Sequence, residues 1–324
     1  MNRRTFALSA AGAALAGWLP AFAQAWPDRP LRLWLSQPAG SGADVMARMI
    51  SDQLARRWSQ PIVVENRPGG QNAIGASAAA KSAADGYNFY FATAAALVTN
   101  AYLFKTLPYD PKKDFVPVGM VGKVPFAVSV NPGSQLKSMK DLVAFAKANP
   151  GQLAVANEGP KTFSGMMTRL LSAQLGIQVN SVSYVSVAAG VTDTVGGQTE
   201  VIVSDVPSIS QMVKAGKLRP LAVTTARRVV GWESIPAVAE SVLPGFDYAG
   251  WIGIVAPAGT PAAAIQRFNR DLDAVLSDKD VAVRLLAIGP ITEGAGTVDQ
   301  MNAFLNGEHA RWTKLTKDIG ILPE

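Results

Sequence analysis

Residues 31–44 read Leu-Arg-Leu-Trp-Leu-Ser-Gln-Pro-Ala-Gly-Ser-Gly-Ala-Asp, a short apolar run followed by a turn rich in Gly, Pro and Ser. Beyond this turn, Met46, Met49, Ile50 and Leu54 recur at the spacing of one helix face. The stretch therefore predicts a strand, a loop and an amphipathic helix in that order.

The same order returns along the rest of the chain, with Gly- and Pro-containing turns between short apolar runs. Such alternation is typical of an α/β fold with a mainly parallel sheet flanked by helices. The further strands are predicted at residues 61–65, 87–93, 153–157, 182–185, 201–204, 218–224 and 250–257.

The alternation restarts after residue 130, whereas the last block, from residue 260 onward, has a helical period and almost no strand content. We therefore predict two lobes, with residues 26–125 and 252–324 in lobe 1 and residues 126–251 in lobe 2. The chain would cross between them near residues 117–130 and 248–257. A cleft between two lobes is a common place for a ligand.

Composition excludes several classes of protein. With 324 residues, 48% hydrophobic and 17% charged, the chain has enough apolar surface to fold into large cores. It contains no cysteine and one histidine, His309, which rules out disulfide scaffolds, thiol nucleophiles and multi-histidine metal sites. We predict no cofactor, no metal and no catalytic residues.

The N-terminal residues 1–25 predict a cleaved export signal. Arg3-Arg4 precedes an apolar stretch at residues 6–19 and the small-residue site Ala23-Gln24-Ala25. The alternative is a buried first helix, and the export route is open between the general secretory and twin-arginine pathways. The mature protein would lie in the periplasm and would not span the membrane, because the apolar stretch is shorter than the roughly 20 residues a span needs.

Charge gives no sign of a nucleic-acid partner. Removal of the two N-terminal arginines leaves 28 basic and 24 acidic residues, a small excess that is scattered along the chain. No run of Lys and Arg with interleaved aromatic residues is present. We expect a monomer that binds a small molecule.

Three junctions between a loop and a helix, at residues 38–44, 159–164 and 186–190, are candidates for binding an anion. A Gly-, Ser- or Thr-rich loop that opens a helix directs free backbone N–H groups and the positive end of the helix dipole at one point, which favours a carboxylate or phosphate. Asp44 in the first junction could cap the helix or accept a ligand amine. The predicted ligand contacts are Pro38, Ala39, Gly40, Ser41, Ala43, Asp44, Thr93, Lys161, Thr162, Phe163, Ser164, Ser186, Val187, Ala188, Ala189 and Asp205.

Other interpretations of these loops fail on spacing or on missing partners. Gly40-x-Gly42 lacks the third glycine of a dinucleotide-binding loop and the lysine of a phosphate-binding P-loop. A secreted hydrolase could use Ser41, Thr162 or Ser164 as its nucleophile. It would need a base within hydrogen-bond reach, and His309 is the one histidine available.

Several segments carry a family resemblance through their order and spacing, among them Asn66-Arg67-Pro68-Gly69 and Asp85-Gly86-Tyr87. Over nearly its whole mature length the chain resembles the periplasmic solute-binding receptors of tripartite tricarboxylate transporters, also called the Bug family. The matching segments are residues 26–32, 64–69, 72–75, 85–87, 107–110, 114–118, 215–224 and 256–261.

The resemblance implies a type II periplasmic-binding fold whose two lobes close around a small organic acid. It implies that the first loop and the two junctions of lobe 2 hold the ligand carboxylate, partly through ordered water. The partners it implies are the membrane components of a tripartite tricarboxylate transporter, or a sensor kinase. An orphan receptor that acts only in signalling would have the same sequence features.

The chain departs from the family pattern at all three junctions. The first loop keeps Asp44 but reorders its small residues, Lys161 stands where the family often has glycine, and Gly165 stands where it often has histidine. The third junction lacks the usual lysine before Ser186. We therefore expect a ligand that differs from simple dicarboxylates, and Phe163 and Val185 would allow a more apolar or aromatic acid.

Overall fold

The computed structural model describes residues 26–288, 291–318, 320 and 323. The export signal predicted at residues 1–25 lies outside the described residues and stays a prediction. Within the described part, none of the helices combines the length and the apolar character that a membrane crossing requires.

The first of two five-stranded sheets takes its strands from two separate segments of the chain. They are β1 (Leu31–Leu35), β2 (Ile62–Asn66), β3 (Asn88–Thr93), β4 (Phe115–Val124) and β10 (Gly250–Pro257). Their order across the sheet is β2-β1-β3-β10-β4. β1 pairs in parallel with β2 and β3, while β10 is antiparallel to β3 and β4, so every strand except β10 points the same way.

The second sheet repeats this plan with the intervening residues. Its strands are β5 (Phe126–Val130), β6 (Ala154–Asn157), β7 (Asn180–Ser183), β8 (Val201–Asp205) and β9 (Arg219–Val223). Their order is β7-β6-β8-β5-β9, and β5 alone runs against the others. The prediction of an α/β fold with two mainly parallel sheets is confirmed.

Helices connect the strands and cover both sheets. A 3₁₀ turn at Gly70–Asn72 and a π-helical turn at Ala95–Thr99 lie among them. The α-helices are α1 (Gly42–Trp58), α2 (Ala73–Ala80), α3 (Asn100–Leu103), α4 (Met139–Ala148), α5 (Phe163–Leu175), α6 (Val187–Val195), α7 (Val206–Lys214), α8 (Val238–Ser241), α9 (Ala262–Leu276), α10 (Lys279–Ile288) and α11 (Val298–Asp318).

Aromatic packing holds the C-terminal helices against the first sheet. The rings of Phe89 on β3 and Phe268 on α9 lie 4.3 Å apart, and the Trp58 ring at the end of α1 lies 5.1 Å from Phe268. The Trp58 indole N–H donates to the buried carboxylate of Asp271 at 2.7 Å. Helices α9 and α11 both contact β4, so the last helical block returns to the first sheet.

Pro125 is the single residue between β4 and β5. β4 belongs to the first sheet, and β5 is the first strand of the second sheet. From sequence, these residues were expected only to cross between lobes. Glycines in β4 allow the C-terminal segment to lie close, since a Cβ on Gly122 would lie 2.7 Å from the Ile291 carbonyl oxygen. The lobe boundaries at 125/126 and 251/252 stay predictions.

Candidate ligand-binding cleft

The loops predicted to bind ligand follow the carboxyl ends of strands in both sheets. β1 leads into the first junction, β6 into the second and β7 into the third, while β3 ends at Thr93 and β8 ends at Asp205. Ligands of open α/β sheets bind outside the carboxyl ends of the parallel strands. The predicted residues therefore occupy the corresponding edge of each sheet.

Hydroxyl side chains cap the three helices that begin at these junctions. The hydroxyl oxygens of Ser41, Thr162 and Ser186 each accept a hydrogen bond from the backbone N–H three residues on, at 3.2–3.3 Å. The Asp205 carboxylate does the same for the Ser208 N–H at 2.9 Å. Each cap satisfies one of the first N–H groups of its helix. At α7 the Val206 N–H also bonds the Pro125 carbonyl and Pro207 has no N–H, so further N–H groups are available to a ligand at the other three helices.

Asp44 holds the first junction together. Its carboxylate accepts hydrogen bonds from the Gly40 N–H at 2.9 Å, from the Arg48 Nε at 3.0 and 3.1 Å and from the Asn66 amide at 2.9 Å. Burial raises the pKa of Asp44, but these hydrogen bonds outweigh it and lower the pKa overall. The carboxylate thus serves the loop and its cap, and a direct role in ligand binding stays a prediction.

Close backbone packing shapes the second junction. The Thr162 hydroxyl donates to the Gly159 carbonyl at 2.8 Å, and the Ser164 hydroxyl accepts from the Glu158 N–H at 3.0 Å. A Cβ on Gly165 would lie 1.9 Å from the Gly159 carbonyl oxygen. No side chain fits at Gly165 without a shift of the loop, which is a physical reason for glycine at the position where the family resemblance places histidine.

Lys161 and Phe163 flank this junction and contact other parts of the chain. The Lys161 ammonium nitrogen lies 4.4 Å from the centroid of the Phe104 ring, in a cation–π contact. A concavity of about 570 Å³, lined by residues 101, 104–105 and 107–112, lies beside this contact and not between the junctions. The Phe163 ring packs 4.7 Å from Phe126 and 6.5 Å from Trp312.

The third junction is more open. Val185, which precedes its cap, is fully exposed. The hydrogen bonds described for residues 186–189 stay within the junction and helix α6. Val187 is half-buried and Ala188 is exposed.

Two contacts join the ends of the first and second sheets across the cleft. A Cβ on Gly42 would lie 3.5 Å from the Pro207 Cβ, so the start of α1 faces the start of α7. A Cβ on Gly159 would lie 4.0 Å from the side-chain amide nitrogen of Gln71. The first junction, the turn at Gly70–Asn72, the second junction and the start of α7 therefore meet in one place. Thr93 lies at the adjoining end of β3, where its hydroxyl oxygen accepts from the Ala96 N–H at 3.5 Å.

Glu158 and Asp205 place two carboxyl groups at this meeting point. Burial raises the pKa of Glu158 to about 7, with a further rise caused by the Asp205 charge and an opposing effect from the Ser164 hydroxyl. Burial also raises the pKa of Asp205, against hydrogen bonds from Ser208. Among the residues that the structure describes, no cation is a cause of either shift.

Sequence reasoning predicted Asp205 but missed Glu158, Gln37 and Gln71. Glu158 stands directly between β6 and Gly159, so a charged residue at the carboxyl end of a predicted strand was a usable signal. Gln37 and Gln71 had none, because an amide side chain in a loop is common. The side-chain amide oxygens of both are buried and lack a hydrogen-bond partner in the described part of the chain.

A family model described as "Tripartite tricarboxylate transporter family receptor" matches residues 46–321. The chain belongs to this family. Protein BugT of Bordetella pertussis is 33% identical over 302 residues, which cover 93% of this chain and 92% of BugT.

Solved structures agree with this assignment of the receptor. The R. palustris protein Rpa4515, solved with adipate, has 33% sequence identity and a TM-score of 0.86, covering 92% of this chain and all of the other. The periplasmic binding protein BugD has 26% identity and a TM-score of 0.83, over 92% of this chain and 100% of BugD. The two-lobed periplasmic-binding fold expected from the resemblance is confirmed, and the chain is a solute-binding receptor and not an enzyme.

The position of His309 in the receptor agrees with a structural role. Its side chain is 6% exposed, and its Nδ1 lies 3.1 Å from the Tyr102 hydroxyl, which also donates to the His309 carbonyl at 2.8 Å. Burial is the main cause that lowers the pKa of His309 to about 4. The hydroxyls of the three hydrolase candidates instead bond backbone groups of their own loops.

No group of three or more His, Asp or Glu side chains within the described ranges is placed to hold a metal ion.

Proposed function

We propose that the mature receptor acts in the periplasm, captures a small organic carboxylate in the cleft between its two sheets and delivers it to a tripartite tricarboxylate transporter. One observation carries the proposal. Capped N-termini of helices from both sheets lie on the two sides of the cleft, where Gly42 approaches Pro207 and Gly159 approaches Gln71. The relative solved with adipate, at 33% identity, supports a carboxylate as the ligand class.

The physical reason for a carboxylate is the backbone at these helix starts. The first turns of α1, α5 and α6 leave N–H groups without partners inside the helix, and the aligned peptide dipoles add positive potential there. Diffuse surface charge cannot supply this selection, because the mature chain has only 28 basic against 24 acidic residues. Binding at helix termini therefore selects the anion.

Closure of the lobes would be a hinge motion, with β10 and the β4–β5 connection as the hinge segments. The contacts across the cleft, including Lys161 on Phe104, would separate when the lobes open. A ligand held by both lobes favours the closed state in proportion to its differential affinity for that state.

An aromatic or otherwise atypical acid is a finer part of this proposal. Phe163 would offer an apolar surface beside the second junction, although its ring already packs against Phe126. Val185 is fully exposed and contributes no enclosed wall. The panel of test ligands therefore includes benzoate-type acids as well as aliphatic ones.

The proposal is tested by thermal unfolding of the purified receptor with mono-, di-, tri- and aromatic carboxylates. A ligand at 100 times its Kd stabilises the folded state by about 2.7 kcal/mol, which is readily measured as a rise in Tm. Sugars and amines without a carboxylate are the controls. A Tm that responds to these controls and to none of the acids contradicts the proposal.

Delivery and location need separate experiments. Deletion of the receptor gene should abolish uptake of the identified acid while leaving uptake of unrelated solutes unchanged. Unchanged uptake combined with a lost transcriptional response would instead assign the receptor to signalling through a sensor kinase. N-terminal sequencing of protein released from the periplasm should begin at Trp26.

A further inference from the structure

Asn66 lies at the cleft edge of the first sheet. It is the last residue of β2 and pairs in parallel register with Leu35, the last residue of β1. Its half-buried side chain therefore stands beside the first junction, residues 38–44, which follows β1.

The Asn66 side chain uses both ends of its amide. The nitrogen donates to the Gln37 backbone carbonyl at 3.0 Å and to the Asp44 carboxylate at 2.9 Å, and the oxygen accepts from the Arg48 guanidinium at 3.0 Å. An amide has two N–H donors and an acceptor oxygen, so all three hydrogen bonds can form together. A carboxylate has no donor and a hydroxyl has one, so neither could replace the amide at Asn66.

These hydrogen bonds tie both ends of the first junction to the neighbouring strand. Gln37 directly precedes the junction, and Asp44 ends it within the first turn of α1. The Asp44 carboxylate also accepts from the Gly40 N–H at 2.9 Å, so the connection from Asn66 continues into the middle of the loop. One side chain thus supports the beginning, the middle and the end of the junction.

The junction that Asn66 supports forms one side of the cleft, since Gly42 at the start of α1 approaches Pro207 at the start of α7. Binding through backbone N–H groups depends on the directions in which these groups point. A loop that must first be ordered by the ligand costs binding free energy, whereas a loop that is already ordered does not.

We propose that Asn66 is a positioning residue for ligand binding, which holds residues 38–44 in the conformation that binds a carboxylate. This inference rests on the proposed function of the cleft. Asn66 acts through Gln37 and Asp44 and does not contact the ligand, because both of its N–H donors are used within the protein.

Two variants remove this support in different ways. Asn66→Ala removes all three hydrogen bonds. Asn66→Asp keeps the shape of the side chain but places an oxygen where the donating nitrogen was, facing the Gln37 carbonyl and the Asp44 carboxylate.

The matched control is Asn131→Ala, which removes a similar amide at the opposite edge of the second sheet. Asn131 is half-buried, and its nitrogen donates to the backbone carbonyls of Thr194 and Val195 at 3.0 and 2.9 Å. It follows β5, whose last residue, Val130, pairs with Val201 at the amino end of β8. The control therefore loses comparable hydrogen bonds away from the cleft.

Binding is measured by isothermal titration calorimetry with succinate, adipate, citrate and benzoate, and stability by urea unfolding of the ligand-free proteins. For each acid that the wild type binds, we expect both Asn66 variants to raise the Kd by about tenfold or more, because the loop must then be ordered on binding. Asn131→Ala should lower the stability and leave each Kd within about twofold of the wild type. The Kd thus separates positioning from a purely structural role, which changes the stability alone.

Hydrogen–deuterium exchange of the ligand-free proteins follows the loop directly. Asn66→Ala should speed exchange of the Gly40 amide, which donates to Asp44, by about tenfold or more. Exchange across residues 159–164, in the second junction, should stay as in the wild type.

The possible results separate this inference from the function on which it rests. Kd values within about twofold of the wild type for both Asn66 variants, or unchanged exchange across residues 38–44, overturn the inference and leave the carboxylate receptor standing. An equal rise in Kd for Asn131→Ala also overturns it, because the effect would then come from a general loss of stability. If the wild type binds none of the four acids, the proposed function fails and the inference fails with it.

Discussion

The stability of the receptor should carry a pH dependence that comes from Glu158. Burial and the nearby charge of Asp205 raise the pKa of Glu158 from an ordinary 4.5 to about 7. Because the folded state holds the proton more tightly than the unfolded state, the folded state gains stability at low pH. That contribution is complete below about pH 4.5 and is lost as the pH rises through about 7.

The magnitude follows from the same two pKa values. A rise from 4.5 to about 7 corresponds to roughly 3 kcal/mol between the protonated and ionised forms. Contact of the half-buried carboxyl with solvent reduces this figure, so we expect about 1–3 kcal/mol. Glu158→Gln should therefore become more stable relative to the wild type by that amount as the pH rises from about 4 to about 8.

The assay is urea unfolding of the ligand-free wild type and the variant at several pH values, followed by subtraction of the two free energies. The subtraction matters because His309 contributes with the opposite sign over part of the same range and cancels in the difference. Glu200→Gln is the control at the opposite end of β8. A difference for Glu158→Gln that stays constant within about 0.5 kcal/mol from acid to neutral pH would refute the argument from burial.

Three further predictions follow from buried or crowded positions. Gly165→Ala forces a Cβ against the Gly159 loop and should lower the free energy of unfolding by about 1–3 kcal/mol in a thermal unfolding experiment. The control Gly307→Ala, in an open position of α11, should raise it by about 0.5–1 kcal/mol. Equal effects of the two substitutions would contradict the crowding at Gly165. Asp271→Asn weakens the hydrogen bonds from Trp58, Arg57 and Arg267 and should lower the free energy of urea unfolding by about 2–3 kcal/mol. Glu240→Gln, in an exposed ion pair, should lower it by less than about 1 kcal/mol. His309, whose pKa is lowered to about 4 mainly by burial, should titrate near that value in an NMR experiment on untagged protein. Its contribution to stability is therefore lost as the pH falls from about 6.5 toward 4, and an NMR midpoint near 6.5 would exclude its burial.

Sequence patterns predict helix caps and strands well, because both depend on residues that are close together in the chain. The Ser138 hydroxyl oxygen accepts a hydrogen bond from the Asp141 N–H at 3.2 Å, and Thr297 forms a reciprocal cap with Gln300. Such caps depend on residues three positions apart, so they are visible in sequence. The predicted strands agree with the observed ones within two or three residues at each end.

Features that depend on residues far apart in the chain were not predicted. Residues 117–130 were predicted only as a connection between lobes, whereas the glycines of β4 permit the approach of residues 291–295, which are more than 160 positions away. The π-helical turn at Ala95–Thr99 likewise has no local signal in its Ala- and Val-containing sequence. Within the candidate cleft, sequence named the capping residues and missed Glu158 and Gln71.

Residue order alone predicted the α/β class, the positions of the three loop–helix junctions, the family and the receptor role. These depend on periodicity, capping patterns and motif order, which are local properties of a chain. Only the tertiary structure brought Glu158 beside Asp205 and set Gln71 opposite Gly159, because these contacts join neighbouring strands and separate lobes. The pKa of Glu158 depends on that proximity and on burial, which residue order does not show.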